Sequence, residues 1–451
     1  MESLVHVREA TIVTPSEPTP TEVLSLSALD SQLFLRFTIE YLLVYKPHPG
    51  LDPGEVTARL KAALAKALVP YYPLAGRVRA KLDHGSTGLE VVCGAQGVLF
   101  IEAVSDHDVN EFDKAPRFVT QWRKLLSFHV ADVLKGAPPL VVQLTWLKDG
   151  NAALGVGINH CLCDGIGSAE FLNSFAELAS TSQSSFAEFR FSPKPIWDRH
   201  LLNPRPPLFK PSMNNNNNSL SHLEFNRVPD LCGFMSRFSN ERLVPTSFIF
   251  NKTSLNELKK MAVFSTSRVG VGESNYTSFE VLSAHIWRSW ARALNLPSNQ
   301  IIKLLFSINI RERVKPSMPS GYYGNAFVLG CAQSSVKELT EKGLGYAAMQ
   351  VKRAKEGVDS EFVESVAESV SQRGARPDSV GVLILSQWSR LGLEKVEVGG
   401  MGKPVHVGPI CCDRYCLLLP VINQTDAVKA MVAVPSSAAL RYQHLIRSFS
   451  S

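Results

Sequence analysis

The sequence predicts a mixed α/β fold built from two parts of similar size. Segments with strand and helix patterns alternate along most of the 451 residues. Hydrophobic residues make up 45% of the chain and charged residues 20%, which are the proportions of a globular protein. A stretch rich in Ser, Pro and Asn at 181–245 interrupts the pattern near the middle. We therefore expect α/β domains at 1–195 and 246–451, joined by a crossover at 196–245.

The first half begins with a strand and a capped helix. The segment VHVREATIV at 5–13 has a strand pattern. Asp52 is expected to cap a helix that has Pro53 at its first position and Glu55 at its third. Apolar residues then recur at helical spacing until Pro70 ends the helix.

A hairpin and a second helix follow in the first half. The apolar runs at 138–147 and 152–159 are joined by Lys-Asp-Gly-Asn, and Asp-Gly between two such runs indicates a β-hairpin. The amphipathic segment GIGSAEFLNSFAELAS predicts a helix at 165–180, directly after the second strand.

The second half repeats the alternation without a fixed period. Its patterns predict a strand at 246–251, helices at 254–263 and 274–294, and a buried strand at 303–310. An interface between two α/β domains is a common place for a substrate pocket.

Composition excludes several classes of protein. The net charge of +6, from 47 Lys and Arg against 41 Asp and Glu, is small and scattered, so we expect no nucleic-acid partner. Apolar runs are too short to span a membrane, and the first residues lack the apolar core of a signal peptide. We expect a cytoplasmic protein whose eight cysteines are free thiols.

The residues with the clearest chemical potential follow the second strand of the hairpin. That strand ends at His160, and Asp164 and Gly165 stand at the turn into the next helix. A histidine near neutral pKa can take a proton from an alcohol or phenol, so His160 is a candidate general base. The alternative is a core histidine beside a helix cap.

Two other roles for this segment are not favoured. Cys161 and Cys163 beside His160 fit no common zinc spacing, so we expect no metal site. A cysteine nucleophile is also not favoured, because successive residues leaving a strand point to opposite sides and Cys161 directly follows His160.

The segment from His160 to Gly165 resembles the HxxxDG signature of the plant BAHD acyl-CoA-dependent acyltransferases. The likeness covers nearly the whole chain. Five further segments resemble family motifs in the same order: LSLSALD (24–30), LVPYYPLAGR (68–77), TSFEVLSAHIWRSWARAL (277–294), INIRERVKPSMPSGYYGN (308–325) and SQWSRLG (386–392).

The resemblance implies two chloramphenicol-acetyltransferase-like domains with a tunnel at their interface. Acyl-CoA would enter from one face as a substrate and the acceptor from the other, with no bound cofactor or metal, in a monomer. His160 would be the general base. Asp164 would be structural and paired with an arginine, and the residues supplying oxyanion donors are not named by the sequence.

One family motif is altered here. Relatives carry Asp-Phe-Gly-Trp-Gly-Lys-Pro, whereas this chain has Val398-Gly399-Gly400-Met401-Gly402-Lys403-Pro404. Three interpretations are open. The protein is an ordinary transferase to a separate alcohol or amine, a catalytically silent acyl-CoA-binding relative, or an enzyme that uses the histidine in a reaction with different requirements.

The third interpretation resembles the coumarin synthases of the family, and we favour it. There an ortho-hydroxylated hydroxycinnamoyl-CoA, such as the feruloyl derivative, isomerises from trans to cis and closes to a lactone such as scopoletin, releasing CoA. Under this hypothesis, small side chains at Gly399, Gly400 and Met401 would give the ring room to rotate.

Other candidate substrate contacts are less specific. Lys252 and Lys259 lie where relatives contact the CoA phosphates, although a solvated helix face is the alternative. Trp388 is either a wall of the substrate site or part of the core. Arg311 and Arg313 are candidate partners for Asp164 or for Glu397, which stands one residue before Val398.

Overall fold

The protein is described here as a computed structural model. The residues described are 5–82, 88–181, 185–186, 189–204, 222–267, 275–413 and 415–448. The Asn run at 214–218 and most of the Pro-rich segment at 204–207 lie outside them.

Fifteen strands occur within these described ranges. In chain order they are β1 (Val5–Val13), β2 (Glu22–Ser25), β3 (Thr38–Tyr45), β4 (Arg77–Ala80), β5 (Leu89–Cys93), β6 (Val98–Ser105), β7 (Leu140–Leu147), β8 (Ala152–Asn159), β9 (Leu243–Phe250), β10 (Ile301–Asn309), β11 (Phe327–Ser335), β12 (Val382–Gln387), β13 (His406–Pro409), β14 (Cys416–Val421) and β15 (Gln424–Pro435).

The α-helices of the same ranges alternate with these strands. They are α1 (Pro53–Ala67), α2 (Gly165–Ser180), α3 (Phe234–Asn240), α4 (Lys252–Ser267), α5 (Ser278–Leu294), α6 (Val336–Glu341), α7 (Leu344–Glu356), α8 (Ser360–Arg373) and α9 (Ala439–Arg447). Where the structure describes the chain, none of these helices has the length and apolar character needed to cross a bilayer.

The first half of the chain builds a six-stranded sheet in the order β1-β6-β7-β8-β3-β13. The β6–β7 pair is parallel, and the other pairs are antiparallel. Every residue of β7 and β8 is buried: α1 and α2 pack against each other and contribute to the same apolar core, and the short 3-10 helix Arg123–Leu126 packs against both strands. The predicted hairpin is confirmed.

The second half builds another six-stranded sheet in the order β11-β10-β12-β14-β15-β9. The β10–β12 and β12–β14 pairs are parallel. Helices α5, α7 and α9 contribute to its separate apolar core, which is centred on Trp287 and Trp290. A mixed α/β class, as predicted, is therefore present in both halves.

The second half contributes one strand to the sheet of the first half. Strand β13 belongs to the second half by sequence, yet it pairs with β3 of the first sheet, with His406 opposite Val44 and Pro409 opposite Tyr41. The buried side chains of Val407 and Ile410 join the core of the first half. This pairing brings the chain after β13 alongside β3, at the edge of the first sheet where the candidate site lies.

Local capping explains where several helices begin. The Asp52 side chain accepts hydrogen bonds from the backbone N–H groups of Gly54 and Glu55, as predicted for α1. Helix α5 begins at Ser278 rather than at 274, because Thr277 and Glu280 form a reciprocal capping box.

The crossover contains more regular structure than predicted. Helix α3 lies within 196–245, and β9 begins at Leu243, three residues before the predicted strand. Residues 243–245 extend the strand because they pair with β15, a long-range contact that local composition does not report. The boundaries of the two domains stay a prediction.

Candidate active site

A cavity of about 690 Å³ lies where the two sheets meet. Its first wall is the N-terminal end of β3 and the segment before it. Its second wall is formed by β10, β11, β12 and β14 of the second sheet, and the chain after β13 closes it. The apolar part of the lining includes Phe37, Ile39, Phe327, Leu329, Ile384, Trp388, Tyr415 and Leu417.

His160 reaches this cavity from the end of β8. Its backbone N–H donates to the Phe37 carbonyl at 2.8 Å, which extends the β3–β8 pairing by one residue. Its ring packs edge-on against Phe37, with ring centroids 5.2 Å apart, and lies 5.6 Å from the ring of Phe327. The imidazole is thus held between aromatic rings from both halves of the chain.

The surroundings of His160 favour its neutral form. Burial is the main cause that lowers its pKa from 6.5, because a charged imidazolium loses hydration there. The nearby carboxylate of Asp164 opposes this shift without reversing it. A neutral imidazole at pH 7 retains the lone pair that a general base needs.

Asp164 binds groups from both halves of the chain. Its Oδ1 caps α2 by accepting the Gly167 N–H at 2.8 Å. Arg311, which follows β10, donates to Oδ2 at 2.8 Å and to Oδ1 at 2.9 Å. The Ala326 N–H also donates to Oδ2, at 3.1 Å. Arg311 is therefore the arginine partner expected for Asp164, and this carboxylate has no lone pairs to spare for substrate.

A second buried network supports the other side of the His160 turn. The Oδ1 atom of Asp30 accepts hydrogen bonds from Arg199 at 3.1 Å and from the Asn325 side chain at 2.8 Å. Arg199 also donates to the Leu162 carbonyl at 2.8 Å, and Asn325 donates to the His160 carbonyl at 2.7 Å. Two main-chain carbonyls of the turn are thus fixed by side chains from distant segments.

Sequence reasoning did not identify Asp30, Arg199 or Asn325. Asp30 and Asn325 close two of the segments that resemble family motifs, and that position was the available signal. Arg199 lies in the predicted crossover, where no local pattern marks it. It is only 2% exposed, and its guanidinium stacks over Trp197 with 4.2 Å to the ring centroid.

Gly165 and Trp388 belong to the surroundings of the site: Gly165 follows the His160 turn, and Trp388 lines the same cavity as His160. Gly165 is the first residue of α2, and a Cβ there would meet Leu391 Cδ1 at 3.1 Å. Trp388 is 7% exposed, lines the cavity and packs on Tyr41 with ring centroids 4.8 Å apart. Trp388 is therefore both a cavity wall and part of the core.

Lys252 and Lys259 lie on α4, outside the cavity lining. The Lys252 side chain is 74% exposed, and its Nζ lies 3.4 Å from an Asp426 carboxylate oxygen. Lys259 is half-buried. A role for either residue in binding CoA phosphates stays a prediction.

Gly399, Gly400 and Met401 form a tight turn at the far end of α2. The turn closes through hydrogen bonds from the N–H groups of Met401 and Gly402 to the Val398 carbonyl. A Cβ on Gly399 would lie 2.8 Å from the Cα of Ser180, the last residue of α2. Since α2 has 16 residues, it is about 24 Å long.

This placement corrects one interpretation of the altered motif. His160 precedes the start of α2, whereas the turn packs against its end, and none of residues 399–401 lines the cavity. Small side chains in this turn therefore do not give an acyl group room to rotate beside His160. They instead allow the turn to approach the α2 backbone closely.

The missing aspartate of the altered motif has no substitute in Glu397. Val398 is buried and 1% exposed, whereas Glu397 is exposed and its nearest cation is Lys403, at 3.9 Å. Arg59 donates to the Gly399 carbonyl at 3.3 Å. The turn is thus held by hydrogen bonds to its main-chain carbonyls.

The remaining candidates have structural roles. Arg313 donates to the carbonyls of Lys355 and Val358. A further histidine, His285 in the middle of α5, is 6% exposed and hydrogen-bonded to the Ile446 carbonyl, and burial lowers its pKa to about 4, so it belongs to the core.

The cysteines and the groups of potential metal-binding side chains in the described residues do not form a further reactive site. All eight cysteines are free thiols, and Cys161 and Cys163 are completely buried. Across the part of the chain that the structure describes, no three His, Cys, Asp or Glu side chains come together as a metal-ligand group.

The role of Asp164 predicts a large loss of stability on truncation. Asp164→Ala leaves the guanidinium of Arg311, whose side chain is only 14% exposed, without its counter-ion, so we expect the free energy of unfolding to fall by about 3–5 kcal/mol. Denaturant titration measures it. Glu9→Ala, which removes the exposed Lys61–Glu9 pair, is the control and should cost less than about 1 kcal/mol. Equal effects of the two substitutions would contradict this role.

Comparison with known proteins identifies the family. The sequence model of the Transferase family matches residues 3–444. The chain is 32% identical over 447 residues to a taxadien-5-alpha-ol O-acetyltransferase of Taxus chinensis, covering 96% of this chain and 94% of that protein. It is 32% identical over 452 residues to a fatty alcohol:caffeoyl-CoA acyltransferase of Arabidopsis thaliana, covering 99% and 98%.

The fold also matches a solved structure of the same class. The crystal structure of vinorine synthase superimposes with a TM-score of 0.71 at 21% identity, covering 97% of this chain and 96% of that one. This likeness confirms the predicted mixed α/β, two-domain fold. The chain belongs to the Transferase family of BAHD acyltransferases, enzymes that transfer the acyl group of an acyl-CoA substrate.

Proposed function

We propose that this enzyme acts on hydroxycinnamoyl-CoA and closes an ortho-hydroxylated acyl group onto itself, forming a coumarin and free CoA. The observation that carries the proposal is the placement of His160 between the rings of Phe37 and Phe327. Flat aromatic walls suit the conjugated ring of a hydroxycinnamoyl group. The caffeoyl-CoA named for the Arabidopsis relative is a donor of this class.

In the proposed reaction, neutral His160 takes the proton of the ortho hydroxyl. The resulting phenolate delocalises charge through the ring into the enoyl thioester, which lowers the double-bond character and allows trans to cis rotation. The ortho oxygen then attacks the thioester carbonyl, the C–S bond breaks, and the imidazolium returns its proton to the CoA thiolate. Ring closure within one acyl group has a large entropic advantage over a bimolecular attack.

The second candidate is transfer to a separate alcohol. Both curated relatives carry the name of an alcohol acceptor, which favours this reaction. The same His160 would deprotonate the acceptor hydroxyl, so the chemistry at the thioester is shared. The two candidates differ only in where the nucleophilic oxygen comes from.

A product assay without any acceptor separates the candidates. With 2-hydroxylated feruloyl-CoA in the dark, the enzyme should release equal amounts of CoA and coumarin, identified by mass. The His160→Ala variant should lose this rate by about 10²–10⁴-fold because it lacks the base. His444→Ala, at an exposed position on α9, is the control. Ester formation only after an alcohol is added would support the second candidate, and full activity of His160→Ala would overturn the role of the base.

The lowered pKa of His160 predicts the acid limb of the pH profile. The imidazole is active when neutral, so kcat/KM should fall as the pH drops through its pKa, with a midpoint below 6.5. Rates measured from pH 4.5 to 8 in buffers of constant ionic strength test this. A midpoint above 6.5 would mean that Asp164 outweighs burial, contrary to the structure.

A further inference from the structure

A second histidine–carboxylate pair lines the same cavity as His160. Glu40 and His129 are both in its wall, and His129 Nδ1 lies 3.1 Å from Glu40 Oε1. Arg123 donates to the other oxygen of Glu40, Oε2, at 2.6 Å. Because a carboxylate only accepts, Nδ1 of the neutral ring carries the hydrogen in this contact, and Nε2 keeps its lone pair.

The pair is held in place but open to a ligand. The Glu40 side chain is 10% exposed and fixed by Arg123, whereas the His129 side chain is 47% exposed. Thr38, on the same face of β3 as Glu40, also lines the cavity, and its buried Oγ1 has no hydrogen-bond partner among the described residues. This end of the cavity therefore offers both a proton acceptor and an unsatisfied hydrogen-bonding group.

The main-chain spacing between Glu40 and the residue that holds His160 suits an extended substrate. His160 hydrogen-bonds to the backbone of Phe37, and Glu40 lies three residues further along β3, which corresponds to about 10 Å of strand. That is the scale of a hydroxycinnamoyl group from its thioester carbon to the oxygen at its para position. A hydroxycinnamoyl group with its thioester at His160 can extend the para oxygen of its ring toward His129.

We propose that His129, oriented by Glu40, is a second catalytic base that removes the para-hydroxyl proton of the hydroxycinnamoyl ring. This inference rests on the proposed lactonisation. The proton moves from the para oxygen to His129 Nε2. The electron pair left on that oxygen then shifts through the ring into the thioester carbonyl, giving a quinone methide with a single bond where the alkene was.

Rotation about that bond brings the ortho oxygen to the carbonyl carbon. The electrons then return to the para oxygen, and His129 gives its proton back. For a ring with a para hydroxyl, the para oxygen thus drives the rotation in place of the ortho oxygen, and His160 takes the ortho proton afterwards for ring closure. No oxidant or further reactant is needed, because the proton removed from the para oxygen returns to it. The enzyme is therefore selective for ortho-hydroxylated acyl groups that also carry a free para hydroxyl.

Two substrates and two variants test this role. Rates of coumarin formation are measured in the dark for 2,4-dihydroxycinnamoyl-CoA and for 2-hydroxycinnamoyl-CoA, which lacks the para hydroxyl. His129→Gln should slow the first reaction by about 10²-fold and the second by less than threefold. Glu40→Gln should show the same selective loss: with its amide oxygen kept by Arg123, its NH2 group donates to His129 Nδ1, which places the ring hydrogen on Nε2 and removes the base. His444→Gln is the matched control and should change neither rate.

Either of two other results with the folded variants overturns the proposal. Equal losses with both substrates would mean that the pair is only structural, and no loss with either would mean that it takes no part. If His129→Gln unfolds, as followed by circular dichroism, His129→Asn provides the same comparison. Failure of the wild-type enzyme to form coumarin from either ester would instead reject the lactonisation itself, and this role with it.

Discussion

The carboxylate of Asp164 joins the two halves of the molecule at the point where chemistry is needed. One oxygen caps α2 of the first half, and both oxygens bind Arg311 of the second half. The same carboxylate accepts the backbone N–H of Ala326, the residue before Phe327, so the ion pair ties the start of α2 to the segment that carries this cavity wall. A buried pair of this kind contributes rigidity and register more than net stability.

The network of Asp30, Arg199 and Asn325 complements this ion pair from the other side. It binds the carbonyls of His160 and Leu162, so the turn between β8 and α2 is fixed at its main chain while the imidazole remains available to the cavity. Fully hydrogen-bonded buried networks are rigid, and rigidity at a reacting group is what lowers the entropic part of a barrier. Both networks therefore serve the orientation of one imidazole.

Local patterns in the sequence predicted the elements that carry His160. The Asp-Gly turn identified the β7–β8 hairpin, and helical spacing with Asp52 as a cap identified α1. Such patterns did not predict three features of the structure. These are the pairing of β13 with the first sheet, the pairing of Asp164 with Arg311 rather than Arg313, and the position of Gly399 at the far end of α2. Each depends on contacts between residues more than 100 positions apart, which periodicity does not encode.

The central claim is that the cavity at His160 is where an acyl thioester reacts. A crystal structure of the enzyme with a non-cleavable thioether analogue of hydroxycinnamoyl-CoA tests it most directly. The account predicts the acyl group inside this cavity and the oxygen that stands for the attacking hydroxyl about 3–3.5 Å from His160 Nε2. An analogue bound with its acyl group outside this cavity, or with that oxygen away from His160, would contradict it.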